Sequence, residues 1–238
     1  MGLYRKENLV LQLIHNMLDM LLPRRCVICG RRLRKGEDVV CVMCDLNLPR
    51  LAEEDPHLKE RYLGRADVEK VTAHLYYTPK SNMSEMVYAK YRNRYDVGRH
   101  MGRRMAEGIM PKDFFDGIDC IVPMPLTRGR KRGRGFNQCE EMARGVADIT
   151  RLPVICNCLK RTGFRGSQTR LNIMERYENV SGCFSLTDKA KDSLQGKHVL
   201  LIDDVVTSGA TTIECANVLH TVPDVKVSIL AFAIKKRL

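Results

Sequence analysis

A doubly wound α/β domain with a parallel sheet is predicted for residues 68–238 of this 238-residue chain. Three observations predict it. Apolar runs of strand length alternate with helical patterns. Two of those runs, residues 118–122 and 199–202, are scarcely interrupted, as in strands buried on both faces of a parallel sheet. Two strand–loop–helix units also carry loops whose residues suit anions, at the sheet edge where open α/β folds gather ligands.

In chain order, residues 1–24 come first. Leu9, Val10, Leu13, Ile14, Met17, Leu18, Leu21 and Leu22 recur at helical spacing, interrupted by Gln12, His15, Asn16 and Asp19. Such a segment is an amphipathic helix, expected to dock on protein and not to span a membrane. No small-residue cleavage site follows, and Lys6 stands where a myristoylation signal needs Ser or Thr. A cytoplasmic location is expected.

Residues 25–50 hold two Cys-x-x-Cys pairs, Cys26 with Cys29 and Cys41 with Cys44, with eleven residues between them. Each turn aims two thiolates at one ion, and the two turns complete a tetrahedral site for a structural Zn2+ with no open position. Disulfides are the rival reading. No secretion signal supports them, and six further cysteines lie scattered along the chain. Residues 51–67 turn charged and read as a connector.

Residues 71–77 are strand-like, and residues 81–91 and 96–110 read as helices. After the 118–122 strand, Pro123 and Pro125 end the extended run. Arg128, Arg130, Lys131, Arg132 and Arg134 then stand among glycines, an anion-seeking loop. Asn137 is the expected N-cap of the next helix, with Glu140 three residues on, and Cys139, Met142, Ala143, Val146 and Ile149 form its buried stripe. Residues 154–159 read as a further strand. A long polar stretch follows, expected to form an active-site loop and an edge hairpin, before residues 180–186 resume an extended pattern. Residues 225–234 are the last strand.

The stretch 198–212 carries the sharpest chemistry. Val199, Leu200, Leu201 and Ile202 form the strand, and Asp203 and Asp204 close it. Thr207, Ser208, Gly209, Ala210 and Thr211 form a small-residue turn into a helix bearing Ile213, Ala216, Val218 and Leu219. A helix start offers N–H groups and a positive dipole end to a phosphate. The hydroxyls add donors, and the carboxylates can accept from ribose hydroxyls and sit near Mg2+, which prefers oxygen ligands. The missing Gly-Lys-Ser/Thr excludes a Walker A loop, and the missing spaced glycines exclude a dinucleotide fingerprint. The formal charge of +12 favours polyanionic partners, while the absence of Trp and the scarcity of other aromatics exclude a broad base-stacking surface.

LLIDDVVTSGATT resembles the phosphoribosyl-pyrophosphate (PRPP) motif of type I phosphoribosyltransferases. Together with PRRCVICG, CVMC, Lys90-Tyr91, VPMPL, RGRGFNQ and the Gln168…Arg176…Asn179 series, it resembles the ComF family of bacterial competence proteins over nearly the whole chain. The resemblance implies a type I phosphoribosyltransferase-like sheet with a hood region, preceded by the helix and the zinc module. It implies PRPP, or a related phosphorylated ligand, held with Mg2+. Asp203 and Asp204 would serve as catalytic residues, and Val205, Val206, Thr207, Ser208, Gly209, Ala210 and Thr211 would bind PRPP. Pro123, Pro125, Leu126, Arg128, Arg132, Arg161 and Arg165 would form the pyrophosphate loop and its closing residues. Lys90, Arg130, Lys131 and Arg134 would contact DNA. Arg165 departs from relatives, which carry Thr there. The function implied is binding of PRPP and single-stranded DNA during uptake of transforming DNA, beside other uptake proteins at the inner membrane face. The alternative is an active phosphoribosyltransferase of nucleotide metabolism with an unknown acceptor.

Overall fold

The computed structural model describes residues 23–51, 55, 57–77, 94–109, 113–127, 135–162 and 180–236. The chain divides into two compact units, Met1–Leu48 and Pro49–Leu238. Among the described residues no helix is long and apolar enough to cross a membrane.

Among the described residues of the first unit, the one helix is α1 (Val42–Leu46). The second unit runs α2 (His57–Glu60), β1 (Val71–Tyr77), α3 (Tyr95–Ile109), β2 (Cys120–Pro123), α4 (Gln138–Thr150), β3 (Leu159–Arg161), β4 (Phe184–Leu186), α5 (Asp188–Leu194), β5 (His198–Val206), α6 (Ala210–Leu219) and β6 (Lys226–Lys235). Its main sheet has the order β1-β6-β5-β2, and every pairing in it is parallel. The central strands β5 and β6 are the most apolar because both of their faces are covered. Leu200, Leu201, Ile202, Ile229 and Leu230 are fully buried. Each such side chain contributes roughly 1.5–3 kcal/mol by leaving water. The fold is the doubly wound α/β class the strand–helix alternation predicts.

On one face, Ile213, Ala216 and Leu219 of α6 pack with Val199, Leu201, Val227 and Ile229. The other face receives α3, whose Gly108 leaves room for the ring of His74 on β1; a Cβ there would lie 3.4 Å from Nδ1. α4 lies against α3 backbone to backbone. A Cβ on Gly102 would come within 2.0 Å of the Met142 carbonyl oxygen, and one on Gly145 within 2.1 Å of the Arg99 carbonyl oxygen. Asp148 fixes the crossing by accepting from Arg99 at 2.6 Å and Arg103 at 2.8 Å. Neither helix can back away without unpacking from the sheet. Gly102→Ala is therefore expected to destabilise by about 3 kcal/mol, the upper range for overpacking. Gly108→Ala, which meets only ordinary contact, should hold stability or raise it. Denaturant midpoints of the two variants check the contrast.

Three expectations change on the structure. Residues 154–159 do not form a strand. Val154 makes only an isolated parallel bridge to Ile121, Asn157 adopts φ 63°, and extension begins at Leu159. The 180–186 run is extended only in β4, which pairs antiparallel with β3 in a separate two-stranded sheet, the expected hairpin. The acidic pair does not close its strand, since β5 continues through Asp203 and Asp204 to Val206, paired with β6 as far as Ile234. Residues 57–67, within the stretch 51–67 read as connector, contribute buried Leu58, Arg61 and Tyr62 to the second unit. The expected helices at 1–24 (apart from its last two residues) and 81–91, and the polar stretch 163–179, lie outside the described residues.

Candidate functional site

The carboxyl ends of β2 and β5 lie side by side, and the acidic pair, the turn into α6 and the start of the loop after β2 stand at that edge. β5 delivers Asp203, nine-tenths buried, and the half-buried Asp204. Each carboxylate folds back on the chain: Asp203 Oδ1 accepts from the Asp204 N–H at 2.8 Å, and Asp204 Oδ1 from the Val205 N–H at 2.7 Å. The Cys139 thiol stands 4.0 Å from Asp203 Oδ1. Burial, then the charge of Asp204, pushes the Asp203 carboxyl well above the usual carboxylate range, against the lowering effect of Arg161. Burial likewise raises the Cys139 thiol, so it stays neutral beside the acids. The two carboxylates and this thiol have ligand atoms within 4.8 Å of one another. An oxygen-dominated pair fits Mg2+, which the carboxylates would hold and which would neutralise a polyphosphate when bound.

Behind the pair the chain turns into α6. Gly209 is the N-cap with φ 85°, a conformation that favours glycine, and its carbonyl accepts from the Ile213 N–H at 2.8 Å. Thr207, Ser208 and Thr211 are half-buried, whereas Thr212 is buried and donates to the Gly209 carbonyl at 2.9 Å. Thr212 is therefore structural. The exposed side of the turn carries the start of a helix long enough to have a developed dipole.

Two residues that the sequence reading passed over brace this turn from beneath. Arg61, 4% exposed, donates to the carbonyls of Thr207 and Lys235. Tyr62 shares a 2.9 Å hydrogen bond with Thr212 Oγ1, and its ring underlies Gly209. A buried guanidinium tying the turn to the end of β6 holds the anion loop in one shape. Arg61→Ala is expected to destabilise by about 2–3 kcal/mol, as for hydrogen bonds from a charged donor, and Tyr62→Phe by about 1 kcal/mol. Thermal melts of both variants check the order.

The loop after β2 is fastened to the same edge. The Met124 N–H donates to Ile202 O at 2.9 Å, and Asn137 Nδ2 donates to Met124 O at 2.9 Å. Asn137 also caps α4, accepting from the Cys139 N–H at 3.0 Å, one residue earlier than a capping box would place it. Its amide is thus spent on the fold. Pro123, Pro125, Leu126 and Arg161, all expected at the pyrophosphate loop, do come together, lining a cleft of about 470 Å³ with Lys160 and Thr162 of the hairpin. Arg161 also sits over the Phe184 ring, 5.1 Å from its centroid, and its charge reaches Asp203. The acidic pair and residues 205–211 are not among the residues lining this cleft. Arg128, Arg130, Lys131, Arg132, Arg134, Lys90 and Arg165 lie outside the described residues.

The first unit holds the second cluster. Cys26, Cys29, Cys41 and Cys44 have their sulfurs within 4.8 Å of one another, with Cys29 and Cys41 3.8 Å apart. All four are free thiols, as are the other six cysteines. The Cys41 N–H donates to Cys26 Sγ at 3.4 Å, and Gly30, at φ 75°, turns the first pair back. Glu37 splints the second pair, accepting from the Arg34 N–H at 2.6 Å and the Val42 N–H at 2.9 Å. Those two donors hold its carboxyl below the usual range. Burial opposes ionisation of Cys41, yet the Cys44 N–H and the Arg31 side chain bring its thiol down to about 6. Burial and the neighbouring thiols push Cys44 up. Four converging sulfurs, one of them with its thiol drawn down by its neighbours, suit a thiophilic divalent ion, and the set fits zinc.

This fold and site define a type I phosphoribosyltransferase-like α/β protein that carries a four-cysteine module. No protein-family model matches the chain. It is 26% identical over 134 residues to "Competence protein F" of Haemophilus influenzae, covering 55% of this chain and 58% of that protein, less than two thirds of its length. It is 26% identical over 205 residues to "DNA utilization protein YhgH" of Salmonella typhi, covering 82% of this chain and 83% of that protein. Among solved structures, a glutamine PRPP amidotransferase of B. subtilis shares 18% identity at a TM-score of 0.37, covering 58% of this chain and 27% of that one. The chain is thus similar in sequence to proteins named for competence and for DNA utilization.

Proposed function

We propose that this chain is a cytoplasmic protein of natural competence that binds a phosphorylated sugar at its acidic pair and handles single-stranded DNA during uptake. The observation that carries the ligand reading is the turn between β5 and α6. A glycine N-cap, three half-buried hydroxyl residues and two carboxylates stand in one braced segment at a sheet edge. In this reading residues 205–211 take the 5′-phosphate of PRPP or a close relative. Asp203 and Asp204 take the ribose hydroxyls and Mg2+, and Arg161 faces the pyrophosphate. The competence and DNA-utilization names of the relatives support the biological role. The charge of +12, with Arg128, Arg130, Lys131, Arg132 and Arg134 close together in sequence, supports DNA as the polyanion. Residues 25–50 act as a zinc-held module and residues 68–238 as a phosphoribosyltransferase-like domain.

A second reading, active phosphoribosyl transfer to an unidentified acceptor, is favoured by the cleft next to the acidic edge. There Asp203 and Asp204 would steady positive charge on the ribose as pyrophosphate leaves. One preparation tests both. Single-stranded oligonucleotide affinity should fall steeply as salt rises, and Arg130→Ala with Lys131→Ala and Arg132→Ala should weaken it. A flat salt response, or no loss in the triple variant, contradicts the DNA reading. Pyrophosphate release from PRPP with some acceptor, abolished in Asp203→Asn, would favour the enzyme.

A further inference from the structure

We infer that Cys139 joins Asp203 and Asp204 in a second metal site that takes an exchangeable ion of the Zn2+ or Co2+ kind ahead of Mg2+, a refinement that rests on the acidic pair being the ligand site. Outside the four-cysteine module, Cys120, Cys139, Cys158, Cys183 and Cys215 are buried. Of these, Cys139 alone belongs to a group of metal-ligating side chains among the described residues. Its Sγ lies 4.0 Å from Asp203 Oδ1, and one ligand atom from each of the three residues falls within 4.8 Å of the others. Bonds of about 2.3 Å to sulfur and 2.0–2.2 Å to oxygen set two ligand atoms of one tetrahedral ion roughly 3.6 Å apart. The group is therefore close to the spacing an ion requires. The place of the sulfur is also fixed, because Cys139 opens α4 with its N–H held by Asn137 Oδ1.

Hydrogen bonding gives the thiol little to do. It is a weak donor, and at 4.0 Å it scarcely satisfies the carboxylate beside it. Asp203 is nine-tenths buried, yet among the described residues its one N–H donor is its own neighbour Asp204, on Oδ1, and no N–H or hydroxyl there reaches Oδ2. A buried carboxylate with an unclaimed oxygen, a second carboxylate next to it and a sulfur within reach of both make a donor set for a dication. The mixture of atoms selects the ion. Mg2+ takes oxygen ligands, whereas thiolate draws Zn2+ and its neighbours in the transition series. Three protein ligands leave a position open for an oxygen of a bound phosphate. With a single thiolate against four in the cysteine module, this site is the weaker of the two, and its ion leaves on dialysis.

For the test, the full chain is given one equivalent of Zn2+ to fill the cysteine module, whose thiolates select zinc, and is then titrated with Co2+ in excess Mg2+. The wild type should bind about one equivalent of Co2+ and develop a thiolate-to-cobalt charge-transfer band. Cys139→Ser and Cys139→Ala should lose the band and bind Co2+ at least about tenfold more weakly, no less than the loss of an outer-shell partner costs. Cys215→Ser, at a buried cysteine outside the group, should keep both. Co2+ binding without the band, a band that survives in both Cys139 variants, or no Co2+ binding by the wild type overturns the metal site. Magnesium–PRPP affinity of the wild type, measured on the same preparation, separates the two readings. A chain that binds PRPP without the cobalt signal loses only the metal site, and a chain that shows neither loses both.

Discussion

The wild-type chain is expected to hold about one equivalent of zinc in a four-thiolate site, and a chain with Cys26→Ser and Cys41→Ser to retain none. The loss should be structural. Among the described residues, Leu33 is the one fully apolar side chain buried in the cysteine cluster; its other buried members are Cys26 and Cys41 themselves, with Ile28, Val40 and Cys44 packed around them. So small a core cannot hold two knuckles closed, whereas structural zinc supplies on the order of 10–16 kcal/mol at neutral pH. The direction with pH follows from Cys41. Its folded value, about 6, lies below the ordinary thiol value of 9.0. Its contribution to the metal-free module is therefore full above the ordinary thiol range and lost as pH falls through about 6. Zinc uptake needs thiolates and weakens in the same direction. Metal analysis after dialysis, with near-ultraviolet circular dichroism across that range, checks both. A double variant that keeps its zinc would show that the ion sits elsewhere.

Asp203→Asn should move stability and binding in opposite directions. Burial and Asp204 raise the folded value of this carboxyl, so its stabilising contribution is present at acid pH and lost as pH rises through that raised value. Removing the charge is expected to raise the melting temperature of the unliganded protein by about 2–4 °C, the shift that 1 kcal/mol gives in a chain of this size. The same change removes an acceptor for ribose and Mg2+. Affinity for magnesium–PRPP should fall on the order of a hundredfold, the worth of one or two charged hydrogen bonds. A strained group that weakens the empty protein and strengthens the occupied one is the mark of a binding residue. If the variant melts lower and binds as well as the wild type, Asp203 is structural.

What sequence reveals here divides by range. The β5–turn–α6 segment is legible because its determinants are local: an apolar run, two acids, a glycine that takes positive φ and a helix with a buried stripe. The two cysteine pairs are legible for the same reason, since metal-ligand spacing is written in the chain. Arg61 and Tyr62 are not. Arg61 meets Thr207 across 146 positions, and nothing around it but charged connector-like residues announces a buried guanidinium. The misplacement at residues 154–159 has a different cause. Val154, Ile155 and Leu159 look like one strand because all three are apolar. In the fold, Val154 bridges the edge of β2, Asn157 reverses the chain, and Leu159 belongs to the hairpin. Periodicity cannot distinguish apolar residues that serve one strand from those that serve two sheets. The burial of Asp203 is a tertiary fact as well, set by Cys139 and the loop after β2 closing over the end of β5.

The central claim is that the acidic pair and the turn behind it form a phosphoribosyl site, and calorimetric titration of PRPP tests it most directly. The wild-type chain should bind one PRPP with an affinity that depends on Mg2+, and the Asp203→Asn, Asp204→Asn double variant should show no saturable binding while still melting cooperatively. Equal affinity in the two proteins would contradict the assignment.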